Sequence, residues 1–173
     1  MTTQKIRYFV GFSLYAIVSV LIIMLQSTGI MTLQISTASA VLALPLVVYA
    51  GFYFGVFGGA AMGLIVGAVT DVYSSTLMYN TVILMLCGFF AGFIIARLFN
   101  RNFAAATVLN LSAAVLYFFV KWLIVYAFID PAPMFIFARY SLTSSLYTAA
   151  FGVAMFFLLN LILKNIPLTT QKR

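Results

Sequence analysis

The sequence predicts an all-α membrane protein, a compact bundle of six transmembrane helices forming a single domain over 1–173. Three observations lead there. Hydrophobic residues make up 65% of the chain and charged ones only 6%, whereas a soluble domain carries about 25% charged residues. A water-facing surface cannot be built from that stock. The apolar residues also fall in runs as long as the roughly 17–25 needed to cross about 30 Å of hydrocarbon at about 1.5 Å per residue. Finally, six spans of about 20 residues use about 120 positions, so a chain of 173 keeps only short loops and tails.

The first span is placed at 8–25, behind Lys5 and Arg7. Charge followed by an apolar run is also the order of a secretory leader, and Ala38-Ser39-Ala40 offers a small-residue cleavage pattern. The run is longer than the roughly 7–15 residues of a leader's apolar core and stands far from that tripeptide, so it reads as a retained helix. After the polar stretch Gln26 to Thr37 a second span covers 38–54 and contains Pro45, where a bend is expected because proline frees a carbonyl that neighbours must satisfy. The apolar run continues to Val72, too far for one crossing, and is divided at Gly55 to Gly59, giving a third span at 56–72. A fourth at 81–99 ends in the hydrophilic turn Asn100-Arg101-Asn102, and a fifth at 104–129 ends where Asp130-Pro131-Ala132-Pro133 breaks the helix. A sixth covers 140–163.

With six spans, Lys5, Arg7, Arg97, Arg101, Lys164, Lys172 and Arg173 fall on one side and Arg139 on the other. The excess of positive charge in cytoplasmic loops then puts both termini in the cytoplasm, with Gln26 to Thr37, Asp71 to Asn80 and Asp130 to Ala138 facing outward. The net charge of +7 is spread over span ends and makes no basic patch, which argues against a nucleic-acid partner. The chain has no His and no Glu, and its only acids are Asp71 and Asp130. Such a stock points away from a metal site, a cofactor, a catalytic triad or a paired-carboxylate enzyme. Cys87, alone in an apolar run, reads as a buried inert thiol.

The most informative local pattern is Gly59, Gly63, Gly67 and Asp71, spaced by four so that they lie along one ridge of the third span. Gly88 and Gly92 form a second, weaker small-residue pair on the fourth. Small residues let helix backbones approach closely, and in lipid such packing stands in for the hydrophobic drive available in water. These glycines are therefore either a helix-packing surface or a partner-binding face. Asp71, near a span end, must find water, a helix cap or a cation. Lys121 lies within the fifth span, and the topology brings Asp71, Ser74, Lys121 and Arg139 to the outer half as a polar cluster. Span six opens with Arg139, Tyr140, Ser141, Thr143, Ser144, Ser145, Tyr147 and Thr148, a run whose hydroxyls serve either interhelical bonding or a small-molecule pocket.

In length, span order and the stretch Gly59-Ala-Ala-Met-Gly63-Leu64-Ile-Val-Gly67-Ala-Val-Thr-Asp71-Val-Tyr-Ser74, the chain resembles the rod-shape-determining MreD family, whose glycine-rich helix ends in Asp and then Ser. The resemblance implies a non-enzymatic member of the elongation machinery that builds the side wall of rod-shaped bacteria, resident in the cytoplasmic membrane. The implied partners are MreC and, through it, MreB, a RodA-type glycosyltransferase and a transpeptidase, together with membrane lipids. The plan is also similar to that of the substrate-binding subunits of energy-coupling-factor vitamin transporters, which implies the competing function of a solute-binding transport subunit.

Overall fold

The structure, a computed structural model, describes residues 3–28, 34–35, 38–74, 78–97, 102–125 and 137–164. It is built of helices: α1 (Thr3–Ser27), α2 (Ala43–Ser74), α3 (Tyr79–Arg97), α4 (Phe103–Val125) and α5 (Leu142–Lys164), the last entered through a π-helical turn, Phe137–Ser141. A two-residue antiparallel pairing, Gln34–Ile35 with Ala38–Ser39, lies between α1 and α2. All five long helices are apolar enough to cross a membrane. Large apolar side chains stand fully outward, with Phe57 at 88%, Phe9 at 70% and Leu161 at 72% exposure. Hydrocarbon, not water, is the solvent for such a surface, and the chain is a multi-pass membrane protein.

The expected second and third spans form one element, α2, interrupted by a single non-helical residue, Gly55 (φ 79°, ψ −168°). That backbone region is open essentially to glycine alone. A straight rod of 32 residues would be about 48 Å long, yet Ala43 and Ser74, at its two ends, line the same cleft. A Cβ placed on Gly59 would come within 2.7 Å of the Gly51 Cα. The chain thus folds back at Gly55 into a helical hairpin with arms 43–54 and 56–74.

The first arm is the centre of the molecule. Leu44, Leu46, Val47, Val48, Tyr49 and Ala50 are all 0% exposed, as a helix apolar on every side must be. It starts at Ala43, not at Ala38. The reason is Gln26, whose amide donates to the Ala40 carbonyl (2.5 Å) while its oxygen accepts from the Leu42 amide (3.3 Å). Those backbone groups are satisfied outside a helical ladder. No bend falls at Pro45, because it lies in the first turn, where an amide proton has no intrahelical partner to lose. The chain bends at Gly55 instead.

Around this arm the other helices attach through hydroxyl-to-carbonyl bonds and ring edges. Tyr15 donates to the Leu46 carbonyl (2.6 Å), and Tyr8 donates to the carbonyl of Phe54 (2.8 Å), left without a helical partner by the break at Gly55. The Phe54 ring meets the edges of Tyr8, Phe12 and Tyr15 at centroid distances of 5.6, 5.4 and 5.5 Å. On α5, the Gly152 carbonyl accepts from the Tyr49 hydroxyl (2.8 Å), and the Ala149 carbonyl accepts from the Asn110 amide of α4 (3.3 Å). The other boundaries shift modestly: α3 begins at Tyr79, and α5 begins at Leu142 because the π turn takes up Phe137–Ser141. The end of the expected fifth span at 126–129, the break at Asp130, the turn Asn100-Arg101 and the C-terminal tail with Lys172 and Arg173 lie outside the described residues.

Candidate functional site

The glycine ridge meets α3. Cβ atoms on Gly59 and Gly63 would strike the backbone of Gly88 and of Leu84 and Met85, and one on Gly67 would strike Thr81. From the other side, a Cβ on Gly88 would strike Gly59, and one on Gly92 would strike Gly55 and Val56. Gly51, which the same four-residue spacing reaches through Gly55 but which the sequence reading did not single out, completes the contact against Gly88 and Gly92. The glycine face of α2 is thereby occupied by the chain's own third helix. A protein partner of this molecule has to find another surface.

At the far end of that ridge Asp71 is buried. Its carboxylate accepts from the backbone amides of Asn80 (3.2 Å) and Thr81 (2.8 Å) and from the Thr81 hydroxyl (2.6 Å). Asn80 and Thr81 are the second and third residues of α3, whose amides have no carbonyl one turn back. The position before the helix is Met78, in the left-handed region (φ 53°), and methionine has no oxygen to offer as a cap. Asp71 supplies that cap from another helix, and its negative charge faces the positive end of the α3 dipole.

The cap forms one wall of a cleft of about 500 Å³ at this end of the bundle. Asn80 lines it and accepts, through Oδ1, the hydroxyl proton of Tyr117 on α4 (2.7 Å). One turn further on, Lys121 also lines the cleft, with Gln26 of α1, Thr70 and Ser74 of α2 and Tyr79 of α3. Thr70 turns its hydroxyl back to the Val66 carbonyl (2.8 Å). Ile23, Ala40, Val41 and Ala43 make the apolar floor. Among the described residues Lys121 is the only charged side chain in this lining.

Of the four residues assigned to the outer polar cluster, the structure gathers Asp71, Ser74 and Lys121 at one end, with Asp71 committed to its cap. Arg139 lies exposed on the π turn and does not line the cleft. The span-six hydroxyls do not line it either: Ser145 donates to the Leu142 carbonyl (2.8 Å), Thr143 to that of Arg139, and Thr148 accepts the Val41 amide (3.1 Å). The polar lining groups Gln26, Ser27, Thr70, Tyr79, Asn80 and Tyr117 went unnoticed in the sequence. Tyr117 had a signal, since a spacing of four puts it on the same face of α4 as Lys121. Cys87 is buried. Among the described residues no three His, Cys, Asp or Glu side chains converge.

Tyr117→Phe tests the wall of the cleft. It removes the hydroxyl that donates to Asn80 Oδ1 without changing volume and is expected to lower stability by about 1–2 kcal/mol, read by thermal unfolding in neutral detergent. A melting curve unchanged from wild type would show that the bond carries no stability.

No protein-family model, curated protein or solved structure matches this chain.

Proposed function

We propose that this chain is a non-enzymatic scaffold of the bacterial cell-wall elongation machinery, an MreD-like protein of the cytoplasmic membrane. It binds MreC and, through it, MreB, a RodA-type glycosyltransferase and a transpeptidase. The observation that carries this reading is the use made of the segment 59–74. Its glycines seat the hairpin on α3 and its terminal Asp71 caps that helix. The segment on which the family resemblance rests is thus the fastening of a rigid body whose remaining helix faces are apolar and outward. A rigid body with apolar flanks suits assembly with the membrane helix of another protein, where close packing and not chemistry provides affinity.

The fold-back at Gly55 supports six crossings. The first arm is shorter than a bilayer, yet it is shielded from lipid by its neighbours and does not have to match the hydrocarbon thickness. The start of α1 is tied to the Gly55 end by the Tyr8 bond, and the close approach of Gly92 to Gly55 brings the last turn of α3, with Arg97, to the same end. Under the positive-inside tendency that end is cytoplasmic, as are both termini. The Asp71 end then faces outward.

The test is affinity purification of the full chain in mild detergent, with mass spectrometry of both proteins and small molecules. Recovery of MreC or wall synthases is the expected result. The cleft favours one competing reading, the solute-binding subunit of an energy-coupling-factor type vitamin transporter. Recovery of a tightly held solute together with a coupling subunit, and no wall protein, would replace the scaffold reading with that one.

A further inference from the structure

We propose that the cleft at the Asp71 end is a binding site for a singly charged oxyanion, a phosphate or carboxylate group, held by Lys121. Lys121 stands half-buried in a helix of apolar residues and lines a cleft whose other lining residues, among those described, are all uncharged. Asp71, the acid at this end among the described residues, already accepts three hydrogen bonds at the start of α3. Among the described residues Lys121 makes no ion pair. An ammonium drawn from water into such a place is costly unless an anion joins it. Snorkelling along its own stem leaves it in the cleft that it lines.

Shape and chemistry then narrow the occupant. A volume of about 500 Å³ falls within the range of small-ligand sites. A lone lysine is a point charge with rotatable donors, without the fork that arginine uses to grip a doubly charged or bidentate group. The floor of Ile23, Ala40, Val41 and Ala43 is apolar, while the Ser74 and Tyr79 side chains line the same cleft with hydroxyls. The fitting molecule has one negative oxyanion beside an apolar body. An anionic phospholipid and a small amphiphilic solute share that chemistry. The site is independent of whether the chain is a scaffold or a transport subunit, since either could carry it.

The experiment uses the purified full chain in neutral detergent. Its arms are dioleoylphosphatidylglycerol, dioleoylphosphatidylcholine and inorganic phosphate, read by native mass spectrometry of adducts and by thermal shift. The expected result is retention of the anionic probe about tenfold over the zwitterionic one, the ratio of one charge-assisted contact. Lys121→Met removes that preference and Lys121→Arg keeps it. In the unliganded state Lys121→Met is expected to melt at or above the wild-type temperature, because it deletes an uncompensated charge, which a merely structural lysine would not do. Ser74→Trp fills the mouth of the cleft without altering the charge and lowers retention as well, so the test survives if Lys121→Met folds poorly. Preference for phosphatidylglycerol identifies a lipid site, and protection by inorganic phosphate alone identifies a soluble anion; both support the proposal. Equal retention of both lipids with no effect of phosphate overturns it, as does a preference that Lys121→Met leaves intact.

Discussion

Gly88→Val is expected to abolish recovery of monodisperse protein, the largest effect of any single substitution in this fold. A Cβ at position 88 meets the Gly59 backbone on one side and the Val47 side chain, at 2.7 Å, on the other. Overpacking a tight core generally costs about 1–3 kcal/mol, because flexible side chains absorb part of the intrusion. Here one obstacle is the backbone of a helix that is pinned by its own glycines at 59, 63 and 67, so relief requires the two helices to separate. The expected loss is about 3 kcal/mol or more, a large share of the ~5–15 kcal/mol that holds a typical domain together. Size-exclusion chromatography in detergent measures it, with the exposed Ala96→Val on the same helix expected to behave as wild type. Gly55→Ala separates the two uses of glycine. Open space surrounds position 55, but its φ of +79° disfavours any side chain, so the loss is expected at about 1–3 kcal/mol with folded protein still recovered. If Gly88→Val elutes and melts like wild type, the close approach of α2 and α3 is not what holds the bundle.

The difference between these glycines also marks how far the sequence could be read. A period of four in Gly59, Gly63 and Gly67 is a property of one helix and is visible in the letters, because small residues on one face mean close approach to something. Which helix approaches depends on the fold-back at Gly55, and φ is not written in a sequence. Length alone required a break in the run from Ala38 to Val72, and the glycines at 55 to 59 mark where the sequence divides it; the fold-back is at Gly55. The bend expected at Pro45 is absent because that residue falls in a first turn, where its missing amide proton matters little. The start of α2 was similarly hidden, since it is set by the Gln26 side chain from a different helix. Asp71 was recognisable as an acid in need of a cap or a cation. The choice between them turned on Met78, a residue that draws notice only once α3 is known to begin just after it. Arg139 was grouped with Lys121 by depth, and depth in a bilayer says nothing about position around the bundle.

Asp71→Ala is expected to produce the second large loss, about 3 kcal/mol or more. The substitution leaves three donors without an acceptor: the amides of Asn80 and Thr81 and the Thr81 hydroxyl. An unsatisfied buried donor costs about 1–3 kcal/mol, and Asp71 is so buried that water has little access to replace its carboxylate. Met78 cannot take over the cap. Asp71→Asn keeps one carbonyl oxygen and is expected to recover part of the difference, losing about 1–2 kcal/mol. The ranking wild type, Asn, Ala in thermal unfolding is the first check. Amide exchange is the more incisive one, since loss of a cap frays the first turn of α3 while leaving its last turn protected. The same variants test what Asp71 is for. If its role is the cap, Asp71→Asn that has folded retains both partner recovery and the anion preference of the cleft, because Lys121 and the apolar floor are untouched. If Asp71→Ala unfolds at the wild-type temperature with wild-type exchange in the first turn of α3, the carboxylate is not structural, and the buried acid at the end of the glycine ridge is instead part of a binding site.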